Sequence, residues 1–68
     1  MNEPSMNMQI RKFLKKVGIN SQREIEAALR RAAAQGDLPA GAEVPLTMTL
    51  SAEKLGVQLV LEDVLRVE

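Results

Sequence analysis

The chain has 68 residues, one Phe, no Cys, His, Tyr or Trp, and as many basic as acidic groups, so its formal net charge is zero. Disulfides are excluded, a structural zinc site lacks its usual ligands, and the commonest general base and the strongest nucleophile are missing. A chain this short buries only about 60% of the surface it exposes when unfolded, which leaves close packing or self-association as sources of stability.

One domain over residues 1–68 is all this length allows, with residues 1–4 expected to fray. The opening "MNEPSMNMQI" has no apolar signal core, and no window approaches the roughly 18 apolar residues that span a membrane. A cytoplasmic protein without membrane association is the expectation. Charge is uneven: residues 1–36 carry seven basic and three acidic groups, residues 37–68 two basic and six acidic.

Ser5 reads as an N-cap. Met6, Ile10, Phe13, Leu14 and Val17 then fall on one helical face at about 100° per residue. Arg11, Lys12, Lys15 and Lys16 fill the other side. Gly18 reads as the stop, because only Gly takes the left-handed conformation freely. "SQRE" (Ser21 to Glu24) matches a capping box and opens a second helix. Its apolar face is Ile25, Ala28, Leu29, Ala32 and Ala33. Glu26 and Arg30 stand at i, i+4 in the favourable order. Gly36 ends it, and Pro39 follows.

From residue 44 the period changes from 3.6 to 2. Val44, Leu46, Met48 and Leu50 alternate with Pro45, Thr47 and Thr49, a one-sided strand whose Pro belongs at an edge. "SAEKLG" (Ser51 to Gly56) is a polar connection. A second strand carries Val57, Leu59, Leu61, Leu65 and Val67 on one face. A six-residue connection sets Leu50 opposite Val57, Met48 opposite Leu59, Leu46 opposite Leu61 and Val44 opposite Asp63, with the large residues together. A slip of one would bury Gln58 and Glu62 instead.

The expected fold is therefore α+β. Two N-terminal helices (about 6–17 and 22–35) pack on one face of a C-terminal antiparallel β-hairpin (about 44–50 and 57–67). The expected core is Ile10, Phe13, Leu14, Val17, Ile25, Leu29, Leu46, Met48, Leu50, Leu59 and Leu61. A two-stranded hairpin is marginal alone, and Val60 and Val64 lie on its polar face. Both facts suggest a homodimer whose four-stranded sheet forms through strand two.

No catalytic, cofactor-binding or metal residues are expected, and no small-molecule ligand. Glu62 and Asp63 are adjacent on a strand, so they point to opposite faces and cannot act as a pair. The glycines form no phosphate-cradling motif. The one interaction signal is the basic face Arg11, Lys12, Lys15 and Lys16, open to nucleic acid or to an acidic protein. Against a nucleic-acid role stand the neutral chain, the glutamates of the second helix and the lack of stacking aromatics.

"IRKFLKKVGINSQREIE" followed by "MTLSAEKLG" resembles a family of roughly 70-residue, mainly proteobacterial proteins of unknown function, over Asn7 to Leu61. That resemblance implies an uncharacterised small protein and transfers no activity, cofactor or partner. The reading is a non-catalytic interaction or structural module with self-association through the hairpin. The alternative is a nucleic-acid binder that uses the basic face in a helix-turn-helix-like arrangement, with help from Arg30 or Arg31.

Overall fold

A computed structural model describes all 68 residues, Met1–Glu68. Its elements in chain order are one helix, α1 (Glu3–Ala34), then strand β1 (Glu43–Ala52), a short 3-10 turn (Glu53–Leu55) and strand β2 (Val57–Arg66). The chain divides into two compact units, Met1–Asp37 and Leu38–Glu68. The α+β class and the antiparallel hairpin agree with the sequence reading; the second helix does not exist.

The expected pair of helices is a single helix of 32 residues, about 48 Å long at 1.5 Å per residue. Its cap is Asn2 rather than Ser5: the Asn2 side-chain oxygen accepts from the Ser5 N–H at 3.0 Å. Glu3 and Pro4 occupy the first helical positions, where the ring of Pro removes only an N–H that has no helical partner. Residues 3 and 4 thus belong to the helix.

Gly18 does not stop the helix. Its φ is not positive, unlike that of Gly36, Gly41 and Gly56. A Gly inside a helix costs only about 1 kcal/mol relative to Ala. A break would strip partners from up to four N–H and four C=O groups, more than the Ser21–Glu24 box can restore. The helix runs through "GINS", and Asn20 reinforces it by donating from Nδ2 to the Lys16 carbonyl at 2.7 Å. The capping box goes unused because the Ser21 N–H already lies within the helix.

The predicted C-terminal stop is present. Gly36 has φ 77, its N–H donates to Ala33 O at 3.0 Å, and the Asp37 N–H donates to Ala32 O at 3.0 Å. These two bonds form a Schellman motif, which satisfies carbonyls the helix end would orphan.

In the second unit, the Ala42 N–H donates to Pro39 O at 3.0 Å, and Gly41 has φ 87 with no positive φ at Ala40. This is a type II turn, with Gly where the left-handed residue is required. The Gly41 N–H also donates to Val67 O, and the Val67 N–H to Ala42 O. Two residues thus oppose one, the G1 bulge that opens the hairpin.

The register pairs Ala52 with Val57, Leu50 with Leu59, Met48 with Leu61, Leu46 with Asp63 and Val44 with Leu65. It is two residues from the expected one. The connection uses four residues, Glu53 to Gly56, closed by a bond from the Gly56 N–H to Glu53 O at 3.1 Å with Gly56 at φ 64. A shift of two preserves parity, so the apolar face keeps its members. Its cost is that Asp63 comes opposite Leu46 instead of Val44.

Alternation from the bulge makes 42/67 a hydrogen-bonded pair and 45/64 a non-bonded one. The N–H positions of residues 45 and 64 therefore point to the two outer edges. Pro45 has no N–H, and the Val64 N–H is taken by the Asp63 carboxylate at 2.7 Å.

Neither unit buries a side chain within itself, so neither encloses any of the expected core residues on its own. Each unit is one layer, a single helix or a two-stranded sheet, and one layer cannot surround a side chain. No helix is long and apolar enough to cross a membrane.

Candidate interaction surfaces

Continuity of α1 puts the apolar residues of the two expected helices in one phase. Ile10, Leu14, Val17, Ser21, Ile25, Ala28 and Ala32 fall within about 80° of each other at 100° per residue. Ile10, Ser21 and Ala32 are eleven apart, as are Leu14 and Ile25, and Val17 and Ala28. An eleven-residue period is 3.67 per turn, so the stripe hardly drifts along the axis. Phe13 lies on one border and Leu29 on the other. Ile10, Phe13 and Leu14 are 53–54% exposed, while Val17, Ser21, Ile25 and Ala32 are half-buried.

The same continuity rearranges the basic residues. Lys12, Lys16, Arg23 and Arg30, all exposed, come within about 40° of one line on the side opposite the apolar stripe. They span about 27 Å of axis. Of the four cations expected to form the site, Lys12 and Lys16 belong to this line. Lys15 borders it, and Arg11 falls in phase with Leu29 at the edge of the apolar stripe. Arg30 joins the line and Arg31 does not. Arg23 is the member that reading two helices left out; its signal in the sequence is the eleven-residue step from Lys12, meaningful only if nothing interrupts the helix.

A helix-turn-helix is absent, because no turn separates residues 17 and 22. Gln22, Arg23 and Glu26, which would stand at the start of a recognition helix if a turn preceded them, lie in mid-helix rather than at an N-terminus, where groove-reading side chains are carried.

The hairpin presents the second surface. Val44, Leu46, Met48, Leu50, Ala52, Val57, Leu59, Leu61 and Leu65 share one face, interrupted only by Asp63. Met48, Leu50, Val57, Leu59 and Leu61 are 40–58% exposed. Facing apolar pairs such as Leu50–Leu59 and Met48–Leu61 each contribute roughly 0.2–1 kcal/mol to the hairpin. The opposite face is mixed: Thr47 with Glu62, Thr49 with Val60, Pro45 with Val64 and Glu43 with Arg66.

A shallow depression of about 360 Å³ lies against Pro45, Leu46, Thr47, Glu62, Asp63 and Val64. Its two carboxylates project to opposite faces of β2, and one is committed to the Val64 N–H. No three Asp or Glu side chains gather as a metal-binding group.

Over residues 1–68 the chain matches the Family of unknown function (DUF6494), and it belongs to that family. No curated protein and no solved structure matches it.

Proposed function

We propose that this protein is a non-catalytic interaction module that self-associates through its hairpin. The observation that carries the reading is the apolar face of β1 and β2, nine aliphatic or small residues in one layer that the hairpin unit does not itself cover. A two-stranded sheet is marginal alone, and covering such a face is what gives it stability. The contact placed on this face leaves aside the outer edge of β2, where one donor, the Val64 N–H, is already engaged. The missing His, Cys, Tyr and Trp support the non-catalytic part, and a chain without Cys suits the cytoplasm.

Light scattering and sedimentation across low to high micromolar concentration test this. Leu59→Glu, at the centre of the apolar face, is expected to abolish the assembly. Val60→Glu, on the other face, is expected to leave it. A wild-type chain that stays monomeric throughout sinks the proposal.

A second reading is favoured by the alignment of Lys12, Lys16, Arg23 and Arg30: binding of a polyanion such as nucleic acid along α1. Four phosphate contacts on duplex DNA would give a slope of log affinity against log salt of about −3.6. Lys12→Glu with Arg23→Glu should remove binding in a gel-shift series. No shift at low salt removes this reading.

A further inference from the structure

The seven stripe positions of α1, Ile10, Leu14, Val17, Ser21, Ile25, Ala28 and Ala32, are spaced 4, 3, 4, 4, 3, 4. That spacing is symmetric about Ser21. We propose that two copies of this chain pair α1 against α1 in antiparallel fashion, with the two-fold axis at Ser21. The proposal rests on the self-association reading and adds a second contact, on the helix.

An antiparallel pair centred on Ser21 brings every stripe position opposite a stripe position. Ile10 meets Ala32 of the other copy, Leu14 meets Ala28, Val17 meets Ile25, and Ser21 meets Ser21. Large faces small at the two outer levels, Ile10 on Ala32 and Leu14 on Ala28, so the two ends of the seam are equally spaced. A parallel pair would set Ile10 on Ile10 at one end and Ala32 on Ala32 at the other, and the helices would splay. The eleven-residue period keeps the seam straight or gently right-handed over its length.

Charge points to the same orientation. Met8 to Asn20 carries four basic and no acidic groups, whereas Gln22 to Ala34 carries Arg23, Arg30 and Arg31 with Glu24 and Glu26. Antiparallel pairing sets the strongly basic half beside the nearly neutral one, and parallel pairing sets the strongly basic halves together. Antiparallel helix dipoles add a favourable contribution. The area is sufficient for a specific contact. A standard interface takes about 800 Å² per partner from about 20–30 residues. The seam and its borders supply about 15 a side, hence roughly 1,000 Å² in total, at the threshold of a specific association.

The chain has no Cys, so introduced thiols are unique. Ile10→Cys and Ala32→Cys chains, made separately and mixed under oxidising conditions, are expected to join predominantly to each other, as resolved by mass. Predominance of like-with-like disulfides means a parallel pair and overturns the proposal. A dimer by light scattering in which neither variant cross-links overturns the helix seam and leaves the hairpin contact standing. A strict monomer overturns both, and is the result expected if the hairpin of the same chain covers the stripe. Because a thiol could perturb the seam, a second measurement uses charge. Ser21→Asp sets two carboxylates together at the axis and should weaken the dimer by roughly tenfold or more. Ile19→Asp, on the opposite side of the helix, should not. Equal effects of the two also overturn the proposal.

Discussion

Pro45 stands directly opposite Val64, and at that one level neither outer edge of the hairpin offers a free donor. Pro45 lacks an N–H, and the Val64 N–H is held by the Asp63 carboxylate at 2.7 Å. Open edges recruit other strands, and proline and inward charge are recurrent ways of blunting them. Asp63 interrupts an otherwise apolar face, and the bond to its neighbour's amide gives that interruption a use.

Asp63→Ala should therefore expose the Val64 donor and promote strand-to-strand aggregation, read as rising turbidity and sedimentation at high micromolar concentration. Adding Pro45→Val should increase it further. Asp63→Asn keeps an acceptor oxygen and should remain close to wild type. If the Ala and Asn variants aggregate alike, the carboxylate acts by charge and not by holding the amide.

Gly18→Ala and Gly36→Ala should move stability in opposite directions. Beyond its chain neighbours and the adjacent helix backbone, no atom lies within 4 Å of a Cβ added at Gly18, and its φ is not positive. Alanine there should stabilise the helix by about 1 kcal/mol. At Gly36, φ 77 makes any side chain strained by about 1–2 kcal/mol. Far-UV circular dichroism through a thermal melt reads both signs. A loss of stability at Gly18 would mean that the chain turns there after all.

Asn2→Ala should remove the bond to the Ser5 N–H and cost about 1 kcal/mol. Ser5→Ala should cost little, because Ser5 supplies a backbone donor rather than a cap. Amide hydrogen exchange at Ser5 and Met6 distinguishes the two, with faster exchange expected only in the Asn2 variant.

The hairpin was legible because its signal is periodic: alternation from Val44 onward names the face whichever register is adopted. Register itself was not. Parity excludes a slip of one but accepts a slip of two, and the choice lies in the four-residue geometry of Glu53 to Gly56. The end of the helix at Gly36 was legible because no apolar phase continues beyond it. Gly18 and the Ser21–Glu24 box misled because both are local signals. Each describes how a helix could stop or start, and neither measures what a continuous backbone ladder is worth across "GINS". The basic surface inherited that error. Arg11, Lys12, Lys15 and Lys16 look like a patch on a short helix, while the long helix sorts them and recruits Arg23 and Arg30.

Gly18, Ile19 and Asn20 lie between the two halves of both stripes on α1, between Val17 and Ser21 in one and within the interval from Lys16 to Arg23 in the other. One alanine inserted after Gly18 would barely change composition or helical content, yet it would rotate everything beyond it by about 100°. Ile25 and Ala28 would leave the line of Ile10 and Leu14, and Arg23 would leave that of Lys12, in the same step. Length in this segment is thus a heritable constraint separate from residue identity: substitutions at Ile19 should be tolerated where single-residue insertions or deletions are not.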